Sequence, residues 1–242
     1  MSTAVITGSA RGIGAATAAL FADMGFNVVI NYNTSEADAL ALLDKITASG
    51  GKAIAVQADV SQMSGARLLF DKAKKAFGTV DVLVNNAGIA QQKLFTDITE
   101  EDYDRMFDVN VKSIFNCCQC ALPDMIHSKY GRIINISSMW GVVGASCEVH
   151  YSASKAAVIG LTKALAREVA PSGITVNCIA PGVIDTPMNK GFDEETINAL
   201  AQETPIGRLG TPDDVARAVA FLADEKSSFI TGQTLGIDGG FI

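Results

Sequence analysis

Only two histidines, His127 and His150, occur in the 242 residues. Together with the cysteines they form no second Cys/His cluster, so nothing completes a zinc site and no metal is expected. No apolar run approaches the roughly 20 residues that a membrane-spanning helix needs. Basic residues are also short: 19 Lys and Arg stand against 26 Asp and Glu, for a net charge of −7. A general nucleic-acid binder needs a basic face to meet phosphates, so that class is set aside. There is no linker-like stretch, and no basic N-terminal segment followed by an apolar run and a cleavage site. With 48% hydrophobic residues the chain is not disordered, and the expectation is one cytoplasmic domain over residues 1–242. Cys117, Cys118 and Cys120 contain a formal C-x-x-C, but it falls inside a helical stretch, where packing is the better reading.

Strand-length apolar runs rich in Val and Ile recur at residues 4–7, 27–31, 52–57, 80–85, 132–137, 175–179 and 233–237. Between them, residues 13–24, 35–49, 61–77, 100–127, 151–170 and 212–223 repeat apolar side chains at three- and four-residue intervals. A helix between two strands returns the chain in the same direction, so the alternation predicts an α/β fold. The expected architecture is a Rossmann-type, doubly wound parallel sheet of about seven strands with helices on both faces. Ligands of such sheets bind beyond the strand C-termini, where strand order reverses.

The chemistry-bearing residues fall at those ends. Thr7-Gly8-Ser9-Ala10-Arg11-Gly12-Ile13-Gly14 follows the first strand and opens the first helix. Glycines there permit a tight turn and let a pyrophosphate approach backbone N–H groups, with the helix N-terminus favouring its charge. No Gly-Lys-Ser/Thr follows, which argues against a nucleoside-triphosphate loop. The second strand ends near Asn31 without the carboxylate that would hold a ribose 2′-hydroxyl. With Arg11 in the loop able to meet a 2′-phosphate, NADP(H) is preferred over NAD(H). Asp59 and Val60 end the third strand, where the carboxylate suits either an adenine amino group or a helix cap. Asn86, Ala87 and Gly88 after the fourth strand allow close passage beside a ribose. Tyr151 and Lys155 share a helix face at i and i+4, and Ser138 stands thirteen residues before the tyrosine. An ammonium beside the phenol would favour phenolate and suit proton transfer.

Taken together, T-G-x-x-x-G-x-G at Thr7 to Gly14, N-N-A-G at Asn85 to Gly88, Asn110, Ser138, Y-x-x-x-K, and Pro181-Gly182 followed by Thr186 resemble the short-chain dehydrogenase/reductase superfamily over nearly the whole chain. The resemblance implies that Tyr151 is the general acid and that Lys155 lowers its pKa and meets the nicotinamide ribose. It further implies that Ser138 holds the carbonyl oxygen, that Asn110 supports a water relay, and that Pro181, Gly182, Ile184 and Thr186 line the nicotinamide and its phosphates. A substrate lid over residues 188–204 and a homotetramer are implied as well. Ser137 is expected on the opposite face of its strand from Ser138, and His150 is read as a substrate-loop or surface residue.

Local sequence at residues 131–138, 164–168 and 236–240 resembles the 3-oxoacyl-(acyl-carrier-protein) reductase branch. Lys129 and Arg132 match part of the basic surface that docks an acidic carrier, whereas Ser172 stands where an arginine is common. The stretch from Met139 to Val149, with Trp140 and Glu148, instead resembles reductases of the 5-aminopentanone modification on elongation factor P. The resemblance thus implies NADP(H)-dependent reduction of a 3-oxoacyl thioester, as a small-molecule or carrier-linked ketone, to the 3-hydroxyacyl thioester, with that amino-ketone as the alternative and a noncatalytic dinucleotide-sensing scaffold as a third reading.

Overall fold

Val5, Val29, Leu83, Ile133 and Val176 point to one side of a sheet, and their neighbours Ala4, Ile6, Val28, Ile30, Val82, Val84 and Ile134 point to the other. Both sets are buried, as expected for a parallel sheet covered by helices on two faces. The computed structural model describes residues 1–189, 191 and 193–242. Among these, seven strands form one sheet: β1 (Thr3–Ile6), β2 (Asn27–Tyr32), β3 (Lys52–Gln57), β4 (Val82–Asn85), β5 (Gly131–Ile136), β6 (Ile174–Pro181) and β7 (Thr234–Ile237). The spatial order is β3-β2-β1-β4-β5-β6-β7, with every adjacent pair parallel.

Helices α1 (Gly12–Asp23), α2 (Glu36–Ala48), α3 (Met63–Phe77), α4 (Glu100–Phe107), α5 (Ser113–Ser128), α6 (Trp140–Val143), α7 (Val149–Val169), α8 (Glu194–Glu203) and α9 (Pro212–Ala223) complete the fold. One face of the sheet is covered by α3, α5 and α7 through Leu69, Cys117, Met125 and Val158; the other by α1, α2 and α9 through Phe21, Ile46 and Val219. Cys117 and Cys118 are buried free thiols in this packing. Strand order reverses between β1 and β4, so their C-terminal ends open a crevice.

The predicted helix over 100–127 is not continuous. α4 and α5 are separated by a π-helical turn, Asp108–Lys112, which holds Asn110. One extra residue per turn leaves the spacing of apolar residues almost unchanged, so periodicity does not reveal it, although such turns recur at functional sites.

Candidate active site

The crevice at the reversal point is a cavity of about 1160 Å³. Its floor is the turn after β1. Gly8 has φ +60° and Gly12 φ +57°, and a Cβ on Gly8 would lie 2.9 Å from the Cα of Ala87. Gly14 permits a different kind of closeness: its Cβ would meet Asn86 Nδ2 at 2.6 Å and the Cα of Ser9 at 2.7 Å. The β1 and β4 turns are thus interlocked. Asn86 Nδ2 donates to the carbonyls of Thr7 (2.9 Å) and Gly8 (3.0 Å), while the Thr7 hydroxyl accepts from the N–H groups of Asn86 and Ala87.

Gly8, Arg11, Gly12, Ile13 and Thr186 line the cavity around the glycine turn. Asn31, Asp59 and Val60 line its far end, and Asn86, Ala87 and Gly88 its near end. Two of the expected residues serve as braces. The Ser9 hydroxyl donates to Ile6 O at 2.7 Å and accepts from Asn31 N–H. The Asn31 amide accepts from Gly8 N–H and donates to Ala58 O at 3.0 Å, tying the glycine turn to β2 and β3. Gly14, Pro181, Gly182 and Ile184, expected at the cofactor, are not among the residues that line this cavity. A Cβ on Gly182 would collide with Asp238, and Ile184 is buried and bridges to Gly210.

Arg11 is exposed and has no ion pair or side-chain hydrogen bond among the described residues. Asn33, Thr34 and Ser35 follow β2 along the same wall, and no carboxylate stands among them. The glycine cradle and the volume of the crevice fit a dinucleotide. Asp104, Arg105 and Asp108 form part of the opposite wall, a contribution that nothing in the sequence pattern signals.

Beyond Gly88 the chain reaches a second, drier group. Ser138, Tyr151, Lys155 and Asn110 are all buried. A Cβ on Gly88 would lie 3.2 Å from both Asn110 Oδ1 and Lys155 Nζ, which places these two groups at the near end of the crevice. Asn110 accepts from Ile89 N–H at 2.8 Å and donates to Ile89 O and to the Ser154 hydroxyl, both at 3.0 Å. Ser154, unremarked in the sequence pattern, in turn donates to Tyr151 O. Ser137 and Ser138 diverge. The Ser137 hydroxyl donates to the Lys155 carbonyl at 2.8 Å, and the Ser138 hydroxyl is near enough to the phenol to stabilise its ionised form.

The phenol is deeply buried. Burial pushes Tyr151 up to about 12; the Ser138 hydrogen bond pulls down and the Glu148 charge pushes up. The Lys155 ammonium is 5.8 Å from the ring centroid and donates to Ile136 O at 3.0 Å. Burial also lowers Lys155 to about 8, with Cys178 opposing that shift. The resting site therefore holds a protonated phenol beside a lysine that titrates near neutrality.

Two further expectations need correction. His150 is not a surface residue. It is 2% exposed, and its Nε2 is 2.9 Å from Gln91 Oε1. Arg132 is likewise 2% exposed, donates to the carbonyls of Gly131 and Gly173, and lies over the Tyr130 ring, so it offers no charge to a docking partner. Glu148 is half-buried; its carboxylate accepts from Gln92 at 3.2 Å, and burial raises its pKa. Trp140 packs edge-on against Phe241 at 5.8 Å. Within the expected lid, α8 buries none of its residues, and Lys190 and Phe192 lie outside the described residues.

Residues 8–242 match the family described as enoyl-(acyl carrier protein) reductase. The chain is 42% identical to the 3-oxoacyl-(acyl-carrier-protein) reductase of Staphylococcus aureus over 238 residues, covering 98% of this chain and 97% of that protein. It is 43% identical over 237 residues to the same-named protein of Chlamydia muridarum, with 98% and 96% covered. A Synechocystis protein of that name is 43% identical over 240 residues, with 99% and 96% covered.

Proposed function

The chain belongs to the short-chain dehydrogenase/reductase family, and from that premise we propose that it is an NADP(H)-dependent reductase converting a 3-oxoacyl thioester to the 3-hydroxyacyl thioester. It is an oxidoreductase acting on C=O and CH–OH groups. The observation that carries the reading is the grouping of buried Asn110 and Lys155 against Gly88, with Tyr151 and Ser138 beside them, next to a crevice whose volume suits a dinucleotide.

When bound, the nicotinamide cofactor supplies the hydride. The protein's share is to orient the ketone and deliver a proton. The Ser138 hydroxyl holds the carbonyl oxygen, and Tyr151, protonated at neutral pH, donates to that oxygen as negative charge develops on it. Lys155 supplies a positive charge behind the phenol, and Asn110 keeps the segment at Ile89 in register with α7. Two hydroxyls beside one another suit a carbonyl oxygen; reduction of an enoyl double bond delivers its proton to carbon. The names of the relatives, rather than the description of the family, therefore set the bond reduced. Arg11, without an ion pair among the described residues, and a β2 end, Asn31 to Ser35, that carries no carboxylate support NADP(H) over NAD(H).

One observation supports a second substrate. Glu148 is an uncompensated carboxylate close enough to raise the phenol pKa. That charge suits a cationic amino-ketone such as the aminopentanone group on elongation factor P. We place the protein in the cytoplasm; no described helix is long and apolar enough to cross a membrane. Phe115 and Ile126 on α5, Leu235 on β7 and Ile242 are exposed apolar residues that support a homotetramer. Residues 188–204 are assigned as the substrate lid.

The test compares NADPH and NADH oxidation with acetoacetyl thioester, a cyclic ketone and an aminopentanone-bearing peptide. Thioester turnover with NADPH, abolished by Tyr151→Phe, is expected. Turnover that survives Tyr151→Phe, or that occurs only with secondary alcohols and NAD, overturns the assignment.

A further inference from the structure

Tyr151 stands in the first turn of α7, a turn that its own sequence secures poorly. The N-cap residue, Glu148, makes no side-chain cap hydrogen bond, and no acidic residue occupies the first turn. The residue before it, Cys147, is held at φ +62°, outside the range that a non-glycine residue prefers. An uncapped helix end that leaves its N–H groups without partners frays unless tertiary contacts hold it. Yet a general acid must be held to a fraction of an ångström.

The missing restraint comes from the segment that follows the Asn86 turn. Lys93 N–H donates to Cys147 O at 2.7 Å. One residue back, Gln92 Nε2 donates to Glu148 at 3.2 Å, and one further back Gln91 Oε1 meets His150 Nε2 at 2.9 Å. The two stretches run antiparallel, joined at each of these positions. The far side of the segment is anchored as well: Gln91 Nε2 donates to Asp102 at 3.1 Å, and Lys93 Nζ pairs with Asp102 at 2.6 Å. Its start is held by the two Ile89–Asn110 hydrogen bonds. The same five residues thus touch the Asn110 turn, α4 and the start of α7.

We propose that Ile89 to Lys93 is a clasp that positions Tyr151, with His150 and Gln91 as its buried positioning pair. The direction of the Gln91 amide sets the imidazole tautomer. Because Gln91 Nε2 is used on Asp102, its Oε1 accepts, so His150 Nε2 carries the proton. His150 Nδ1 is then a bare acceptor, buried and without a partner among the described residues. The imidazole is thus held through its single side-chain hydrogen bond at Nε2. That bond sits one residue from the phenol-bearing position and links it to the turn at Gly88, where the crevice ends.

The clasp's effect on turnover rests on the reductase reading above, so the test has an arm independent of activity. His150→Leu and Gln91→Leu remove the pair, and His150→Gln keeps a donor at the Nε2 position. With acetoacetyl thioester or a neutral cyclic ketone, both leucine variants are expected to lose roughly 10- to 100-fold in kcat, with the NADPH Kd within about twofold of wild type. Deuterium uptake should rise in residues 147–153 and stay unchanged in 156–169. His150→Gln should recover kcat to within about fivefold of wild type. Unchanged kcat in His150→Leu, parallel loss of NADPH binding, or failure of His150→Gln to improve on His150→Leu overturns the proposal. If His150→Leu does not fold, Gln91→Leu, on a half-buried loop, carries the same expectations. If the wild type reduces neither ketone, the reductase reading fails instead, and unchanged uptake in residues 147–153 of Gln91→Leu still overturns the clasp.

Discussion

Replacing Gly141 by alanine tests whether catalysis depends on how α6 seats against α7. The added methyl would lie 2.7 Å from the Lys155 carbonyl carbon, 2.8 Å from its Cβ and 2.8 Å from the Ser137 hydroxyl. Two of these atoms are at the backbone end of Lys155, so no flexible side-chain tip can yield. Relief to ordinary contact at 3.4 Å needs a shift of about 0.7 Å between the helices. Overpacking of this kind costs about 1–3 kcal/mol. Loss of the bond from the Ser137 hydroxyl to Lys155 O adds about 1 kcal/mol. For a chain of this length that amounts to a Tm fall of about 4–10 °C. The shift moves Lys155 and, one turn away, Tyr151, and displacement of about 1 Å costs up to roughly 100-fold in rate.

The expected signature of Gly141→Ala is therefore a kcat lowered roughly 10- to 100-fold with NADPH affinity within about twofold of wild type, since the glycine cradle is untouched. Gly14→Ala is the counterpart at the other end. Its methyl would meet Asn86 Nδ2 at 2.6 Å, Ser9 Cα at 2.7 Å and Gly8 O at 2.8 Å, spreading the β1 and β4 turns. The same strain of about 1–3 kcal/mol there should weaken NADPH by roughly 10- to 100-fold. Stopped-flow turnover, cofactor fluorescence and thermal melts separate the two. A Gly141→Ala protein with wild-type kcat and Tm, or two variants that fail in the same parameter, would refute the division of the site into a cradle and a proton-delivery end.

Lys155, lowered to about 8 by burial, should put an alkaline limb near that pH in kcat/KM for NADPH; its charge is present below the limb and lost above it, and a flat profile to about pH 9.5 would reject the role. The unfolded lysine titrates near 10.4, so the unfolded chain binds the extra proton between the two values and stability should rise with pH across that window. Lys155→Met should remove that slope in urea melts. Arg11→Ala should weaken NADPH by roughly 10- to 100-fold and NADH by less than about threefold; equal losses would return Arg11 to a solvated loop cation. Asn110→Ala leaves the Ile89 N–H without its acceptor, at a cost of about 1–3 kcal/mol; Asn110→Asp, which keeps that acceptor, should melt between alanine and wild type, and equal melts would show that the bond does not matter.

The sheet was legible because its strands are buried on both faces, which forces unbroken Val/Ile runs that a sequence displays directly. The glycine turn was legible for a related reason: left-handed backbone at Gly8 and Gly12 and close packing at Gly14 each demand that residue. Where the reading failed, the determinant was far away in sequence. Arg132 shows a basic letter in a strand, and part of what holds it when buried, the Gly173 carbonyl, comes 41 residues on. His150 meets Gln91 across 59 residues, a pairing without any local pattern. The phenol is the most instructive case. Spacing correctly put Lys155 on the face of Tyr151, and proximity suggested a depressed pKa. Whether a cation depresses it depends on distance and on what else the cation touches. Here the ammonium is engaged by Ile136 O, desolvation acts on both groups, and the phenol keeps its proton. Burial around Tyr151, a property of the tertiary packing, therefore outweighs in its pKa the local i, i+4 spacing that the sequence displays.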